Sequence, residues 1–183
     1  MEFKTIDYFD EAIWGKVFPI YEEAFLGKGA KPEKIIRNMF RKKLCFLHVG
    51  FLDNQAAAMA ISGKLARISA LLIDYLAVPE EYQNQGIGKN MVTYIKEWAA
   101  QEGQCENLVI EVESDQTTEN LARIRFWEKC GFIITDYIHH YIWVPEPYRA
   151  MFIKLGPGTA LPESGEEIFK YIGAFHKKSF TGS

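Results

Sequence analysis

With 183 residues, 48% of them hydrophobic and 14% aromatic, the chain has the length and apolar content of a single packed domain, which excludes a disordered polymer. A net charge of −3 and a pI near 5.9 supply no basic field, so nucleic acid is not expected as a partner. Met1–Asp7 carries neither a basic segment nor a long apolar stretch, and no apolar run reaches membrane-spanning length, so neither export nor a membrane is expected. Cys45, Cys105 and Cys130 are widely spaced and form no CxxC pair, which suits thiols in a reducing cytoplasm.

In chain order, Phe3–Tyr8 reads as a first strand. Trp14, Val17, Phe18, Tyr21 and Phe25 fall at helical spacing after Asp10, a candidate N-cap, with Pro19 inside the pattern as a source of a kink. After a loop at Leu26–Lys31, Pro32 is placed as the first residue of a second helix with Ile35, Ile36, Met39 and Phe40 on one face. Cys45–Leu52 and Ala56–Ile61 form two strands around Asp53-Asn54, and Leu71–Val78 is the next strand. Ile87, Met91, Tyr94, Ile95 and Trp98 make an apolar stripe on a helix starting near Gly86. Leu108–Glu113 is a strand, Ser114–Thr118 a polar loop with a cap, and Leu121–Cys130 a helix stopped by a left-handed Gly131 with Phe132 packing back. Phe132–Val144 and Tyr148–Leu155 read as a hairpin around Pro145-Glu146-Pro147, followed by a Gly/Pro-rich stretch from Gly156 and a helix at Glu166–Lys177. The expected fold is α/β (α+β), a mixed, largely antiparallel sheet flanked by helices, with residues 1–155 as the domain and 156–183 as an extension docked on it.

Chemistry concentrates between Val78 and Lys89. Gly86 and Gly88, one residue apart at a strand-to-helix junction, let backbone N–H groups face an anion where the helix dipole is positive. A P-loop would need glycine at Gln83 and a hydroxyl at Asn90; a dinucleotide fingerprint would need glycine at Met91. Both are excluded. On spacing alone, a ligand loop and a plain tight turn remain equally open.

The wider pattern Leu76-Ala77-Val78-Pro79-Glu80, then Gln83-x-x-Gly86-x-Gly88, opening a helix, resembles the acetyl-CoA-binding signature of the GNAT N-acetyltransferases. Asn120-x5-Phe126-Trp127-Glu128-Lys129-Cys130-Gly131-Phe132 is similar to that family's second CoA-side helix, and Ile20–Phe25 to a stretch of its first helix. The resemblance covers about residues 3–155. It implies acetyl-CoA as co-substrate, with its pyrophosphate on the N–H groups of Gln85, Gly86, Ile87, Gly88 and Lys89. The neighbouring Gln83 and Asn84 complete the loop. It also implies that the strands corresponding to Leu71–Val78 and Leu108–Glu113 part, so that pantetheine bonds Leu76, Ala77 and Val78. Lys89 can add charge near a phosphate, and Asn120 matches a CoA-contacting position or is a polar first-turn residue.

Transfer to an amine needs a base for the amine proton and a donor for the leaving thiolate. Glu111 interrupts the apolar Leu108-Val109-Ile110-Glu111-Val112, where partial desolvation favours proton uptake. The resemblance implies the same role, because a glutamate in the matching Ile-Glu-Val context is the base in the ribosomal-protein alanine acetyltransferase branch. Glu113 shares its face, a solvent-facing strand glutamate is the plain alternative, and Asp74 is a second choice of base. The family's tyrosine acid is replaced by Trp127, whose indole donates a hydrogen bond but transfers no proton, so either the thiolate leaves with hydrogen-bond help alone, or Tyr94, Tyr137 or Tyr141 substitutes as acid, or catalysis is weak. Cys130, at a helix C-terminus, is a poor acyl acceptor. His139 and His140 point to opposite faces, His48 and His176 lack ligand-spaced partners, and no metal is expected.

An acceptor amine would lie near the first two helices, Leu26–Lys31 and the Tyr137–Tyr148 hairpin, where Tyr21, Glu22, Phe25, Asp136, Tyr137 and Tyr141 suit a cationic or aromatic amine unless they are core. Homodimer pairing through the hairpin or tail is a further expectation. A non-catalytic acyl-CoA-binding module and a structural domain in which Gly86 only turns the chain are the competing classes.

Overall fold

The computed structural model describes residues 1–158 and 160–181; the expected extension also spans Thr159, Gly182 and Ser183, which lie outside them. Among the described residues, five helices flank a sheet whose strands follow the hydrogen-bonded order β1 (Glu2–Ile6), β2 (Phe46–Leu52), β3 (Gln55–Leu65), β4 (Ala70–Ala77), β5 (Asn107–Glu113), β8 (Pro147–Lys154) and β6 (Ile133–Ile134), with β7 (His139–His140) pairing β8. The registers are antiparallel for β1–β2, β2–β3, β5–β8, β6–β8 and β7–β8 and parallel for β4–β5, as the mixed, largely antiparallel expectation requires. The chain divides into two compact units: Met1–Gly63 with Ile73–Ile95 and the residues from Lys177, and Lys64–Leu72 with Lys96–His176. Strand β4 (Ala70–Ala77) passes from the second unit into the first.

In the first unit, β1 (Glu2–Ile6), β2 (Phe46–Leu52) and β3 (Gln55–Leu65) form a meander. The β2–β3 connection is the two-residue turn Asp53-Asn54, both with positive φ (47° and 65°), as a tight hairpin demands. Helix α1 (Glu11–Phe25) starts where the Asp10 carboxylate accepts from the Ile13 N–H at 2.9 Å, and it runs on through Pro19. Helix α2 (Glu33–Arg41) begins one residue later than expected. Pro32 has ψ 153°, an extended value, so it caps the helix instead of opening it. Trp14, Val17, Tyr21, Ile36, Met39, Leu47 and Met59 are buried here.

Helix α3 (Ile87–Gln101) is tied to this meander by polar as well as apolar contacts. Phe3 and Tyr94 stack at 4.6 Å, and the Tyr94 and Thr5 hydroxyls lie 2.8 Å apart. Thr5 in turn meets His48 Nδ1 at 2.7 Å, and His48 Nε2 meets Ser62 Oγ at 2.7 Å. His48 is wholly buried, and desolvation pushes its pKa down to about 3, so the imidazole is neutral.

In the second unit, β5 (Asn107–Glu113) pairs antiparallel with β8 (Pro147–Lys154) from Asn107–Lys154 to Glu113–Tyr148. Its parallel register with β4 comprises Ala70–Asn107, Leu71–Leu108 and Leu72–Val109. Helix α4 (Thr118–Lys129) starts three residues before the expected Leu121, because the Thr117 hydroxyl accepts from the Asn120 N–H at 3.1 Å and extends the first turn. Gly131, at φ 93°, ends it, and the Phe132 N–H returns to the Trp127 carbonyl at 3.1 Å.

The expected long strand Phe132–Val144 is instead two short pieces, β6 (Ile133–Ile134) and β7 (His139–His140). Ile134 pairs with Met151 and His139 with Tyr148, so five steps on one side face three on the other and the intervening residues bulge out. The Thr135 hydroxyl and N–H both donate to the Ala150 carbonyl at 2.9 Å where the strand leaves the ladder. Helix α5 (Gly165–Phe180) buries Ile168, Phe169, Ile172 and Phe175. A Cβ at Gly165 would lie 2.4 Å from Thr135 Oγ1, so only glycine permits this approach. Among the described residues no helix is long and apolar enough to cross a membrane.

Candidate active site

The loop that follows β4 lies in the first unit. After Leu76, Ala77 and Val78, a short 3-10 turn (Glu80–Tyr82) leads to Gln83. The Gln83 amide donates to the Val78 carbonyl at 3.0 Å, and the Gln85 amide to the Glu81 carbonyl at 2.8 Å. These two side chains fasten the loop onto itself. Asn84 (φ 60°) and Gly86 (φ 80°) then reverse the chain into α3, whose first turn holds Ile87, Gly88 and Lys89.

The Asn90 N–H donates to the Gly86 carbonyl at 3.0 Å, and the earlier N–H groups of a first helical turn have no intrahelical partner. A Cβ built on Gly86 meets nothing within 4 Å, so the space over this residue is open. Gly86 is required by its backbone angle; Gly88 lies within helical backbone. Gln83, Asn84, Gln85, Gly86 and Lys89 are exposed, and Ile87 is buried under the turn. Beside the loop, a cleft of about 380 Å³ is lined by Lys16, Ile20, Glu23, Asn54, Pro79 and Glu81.

Asp74 explains itself otherwise. Lys31 Nζ lies 2.6 Å from its Oδ2, with the two side chains 4% and 3% exposed, and the Lys31 backbone N–H donates to the Tyr75 hydroxyl at 3.0 Å. A charge in an apolar strand thus has a buried counter-charge, which gives Asp74 a reason to exist without proton transfer. The same cluster absorbs two residues expected near an acceptor: Tyr21 is fully buried and donates to the Lys31 carbonyl at 2.7 Å, and Phe25 packs on Tyr75 at 4.9 Å. Burial raises the Tyr21 and Tyr75 phenols well above their ordinary range.

Glu111 lies in the second unit, on β5 opposite Ala150. The Tyr141 hydroxyl donates to its Oε2 at 2.6 Å, and His176 Nε2 meets its Oε1 at 2.6 Å. Of the substitute acids expected for the family tyrosine, Tyr141 is therefore hydrogen-bonded to the expected base, while the Tyr94 hydroxyl is engaged with Thr5 in the first unit. His176, dismissed from the sequence for want of ligand-spaced partners, is the residue missed.

A ring cluster surrounds the carboxylate: Tyr141 contacts His139 (4.5 Å), Trp143 (4.8 Å), Tyr148 (5.6 Å) and Phe169 (6.2 Å), and His139 stacks on Phe169 at 4.3 Å. Desolvation, with the negative charges of Glu113, Glu111 and Glu146, pushes the Tyr148 phenol up to about 12. Desolvation also lowers the His139 pKa.

Trp127 is buried, its ring edge-on to Phe126 (5.2 Å) and Phe132 (5.1 Å). Asn120 is buried as well. Its amide donates to the Asp115 carbonyl at 3.1 Å, and its oxygen accepts from Arg123 at 3.3 Å, the bonds of a polar first-turn residue.

The sequence model of the acetyltransferase (GNAT) family matches residues 14–132, more than half of the chain. No match to a curated protein sequence was found. Among solved structures, the ribosomal-protein-S18-alanine N-acetyltransferase of Escherichia coli is similar with a TM-score of 0.63 at 17% identity, over 86% of this chain and 97% of that one. The aminoglycoside 6'-N-acetyltransferase of Enterococcus faecium gives 0.65 at 11%, over 87% and 99%. A Bacillus subtilis acetyltransferase in complex with CoA gives 0.62 at 16%, over 85% and 99%. At these identities the structures share the fold alone.

Proposed function

Because the chain belongs to the acetyltransferase (GNAT) family, we propose that it moves an acetyl group directly from acetyl-CoA to a primary amine of a small molecule or peptide. The observation that carries this is the fastened loop after β4, with Gly86 at φ 80° and open space over its Cβ at the start of α3. The N–H groups from Gln85 to Lys89 would receive the pyrophosphate, and Leu76, Ala77 and Val78 the pantetheine amides. Lys89 would add charge near a phosphate. Asn120 would act through the shape of the α4 cap, given its local bonds.

In the chemistry proposed, Glu111 takes the proton of the amine as its nitrogen attacks the thioester carbonyl. A C–N bond forms, the C–S bond breaks, and the thiolate takes the Tyr141 hydroxyl proton. The proton on Glu111 then returns to Tyr141 across their 2.6 Å contact, leaving amide and free CoA thiol. Positioning supplies most of the acceleration, since a thiolate leaves readily. Trp127 offers a wall and a hydrogen bond but no proton. The contact of Tyr141 with Glu111 favours turnover over the binding-module reading, which rested on the loss of the tyrosine at Trp127.

The rings around Glu111 suit a cationic or aromatic amine, since aromatic faces and a carboxylate both attract a cation. The proposed setting is the cytoplasm, in keeping with Cys45, Cys105 and Cys130 as buried thiols. Pairing of two copies through the exposed hairpin residues Ile138, Ile142 and Trp143 is part of the same proposal, checked by sedimentation at two concentrations.

The test is thiol release from acetyl-CoA with tyramine, spermidine and a lysine-containing peptide, with products identified by mass. Amine-dependent thiol and acetylated product are expected. Acetyl-CoA binding without either would favour a binding module, and no binding would remove both.

A further inference from the structure

We propose that His176, on the C-terminal helix, is a positioning residue for Glu111, and that α5 thereby forms part of the catalytic apparatus. This rests on the transferase reading above and extends it to a residue beyond the family match, which ends at residue 132.

Glu111 is gripped at both oxygens. Tyr141 donates to Oε2 and His176 Nε2 sits at Oε1, each at 2.6 Å, with the His176 and Glu111 side chains 12% and 15% exposed. A carboxylate only accepts, so the imidazole must carry its hydrogen on Nε2. A short, largely shielded, charge-assisted bond of this kind fixes orientation as well as adding energy. Two such bonds on different oxygens fix the plane of the carboxylate, which a single bond cannot do. A base that must meet an amine at one angle gains from that restraint.

The donors are themselves held. Ile168, Phe169, Ile172 and Phe175 bury the apolar stripe of α5, and Gly165 brings its start against Thr135. His176 follows Phe175 at the edge of the stripe, its ring 6.0 Å from that of Tyr141, which in turn touches Phe169. The helix therefore docks through apolar contacts that do not need His176. An imidazole on Glu111 is surplus to docking, and its use lies at the carboxylate.

Full-length His176→Ala and His176→Gln separate this role from a structural one. The glutamine amide nitrogen reaches about as far as Nε2 and donates without a ring. With the best amine of the panel above, His176→Ala is expected to lower kcat about tenfold or more, a part of what a placed base contributes. KM for acetyl-CoA should stay near wild type, the melting temperature should fall by only a few degrees, and His176→Gln should recover most of kcat. In proton NMR of the resting protein, the His176 Nε2–H signal should be shifted downfield and lost in Glu111→Gln.

An unchanged kcat in His176→Ala, or no such NMR signal in wild type, overturns the proposal. So does a loss of melting temperature matching the loss of kcat without rescue by glutamine. A wild type that shows the signal and binds acetyl-CoA but acetylates no amine overturns the transferase reading, and the positioning role with it, while leaving the pair itself standing.

Discussion

Replacing Asp74 by asparagine distinguishes a structural carboxylate from a catalytic one. Lys31 Nζ lies 2.6 Å from Asp74 Oδ2 and both side chains are almost fully buried. At that separation and an effective dielectric of about 20, their attraction is about 6 kcal/mol. Desolvating each ion costs several kcal/mol, so the intact pair contributes little net stability.

Breaking it is another matter, because a lysine then stays buried without this anion, at a cost of about 3–5 kcal/mol. The Tyr75 and Phe180 rings, 5.1 and 6.0 Å from Nζ, soften that cost but do not replace a carboxylate. Asp74→Asn and Lys31→Met should each lower unfolding free energy by about 3–5 kcal/mol, and Lys31→Met with Asp74→Leu by less than about 2. Urea denaturation read at constant m is the assay. Turnover per folded molecule of Asp74→Asn should stay within a few-fold of wild type. Stability within about 1 kcal/mol of wild type, together with a hundredfold loss of turnover, would refute the structural assignment and make Asp74 the base.

Two further outcomes follow from buried side chains. His48, at about 3, stays neutral in the folded chain while its unfolded counterpart charges below about 6.5, so the unfolded state binds more protons and stability falls as pH falls. From pH 6.5 to pH 5 the loss is about 2 kcal/mol; His48→Gln should flatten this slope, and equal slopes in the two proteins would contradict a buried neutral imidazole. Trp127→Phe keeps an aromatic wall and should cost less than about tenfold in turnover, since no proton passes through indole; complete loss of turnover would show that the indole does more.

The elements legible in the sequence were those set by neighbouring residues. Asp53-Asn54 and Gly131 announced backbone reversals that their φ angles bear out, and Asp10 announced a cap that its 2.9 Å bond supplies. The loop from Gln83 to Lys89 was legible for the same reason, because a strand, a positive-φ glycine and a helix start are adjacent in sequence. What escaped depends on partners far along the chain: Lys31 and Asp74 are 43 residues apart, and Glu111 and His176 are 65 apart. Asp74 did leave a trace, since a lone carboxylate in an apolar strand needs a buried cation. His176 left less, only its place beside the stripe of α5. The bulge after Ile134 was hidden because alternation continues across it while pairing does not.

Acetyl-CoA titration of wild type, Gly86→Glu and Gly27→Glu, followed by melting temperature, tests the loop most directly. Gly27 shares the φ of 80° and the open surroundings of Gly86, so it controls for backbone strain. At about 100 times Kd, wild type should gain about 2.7 kcal/mol, or about 5–10 °C for a domain of this size. Gly27→Glu should melt lower without ligand yet gain as much, and Gly86→Glu should gain nothing, its carboxylate standing where the pyrophosphate would lie. A wild type that does not respond to acetyl-CoA, or a Gly86→Glu that responds equally, would contradict the account.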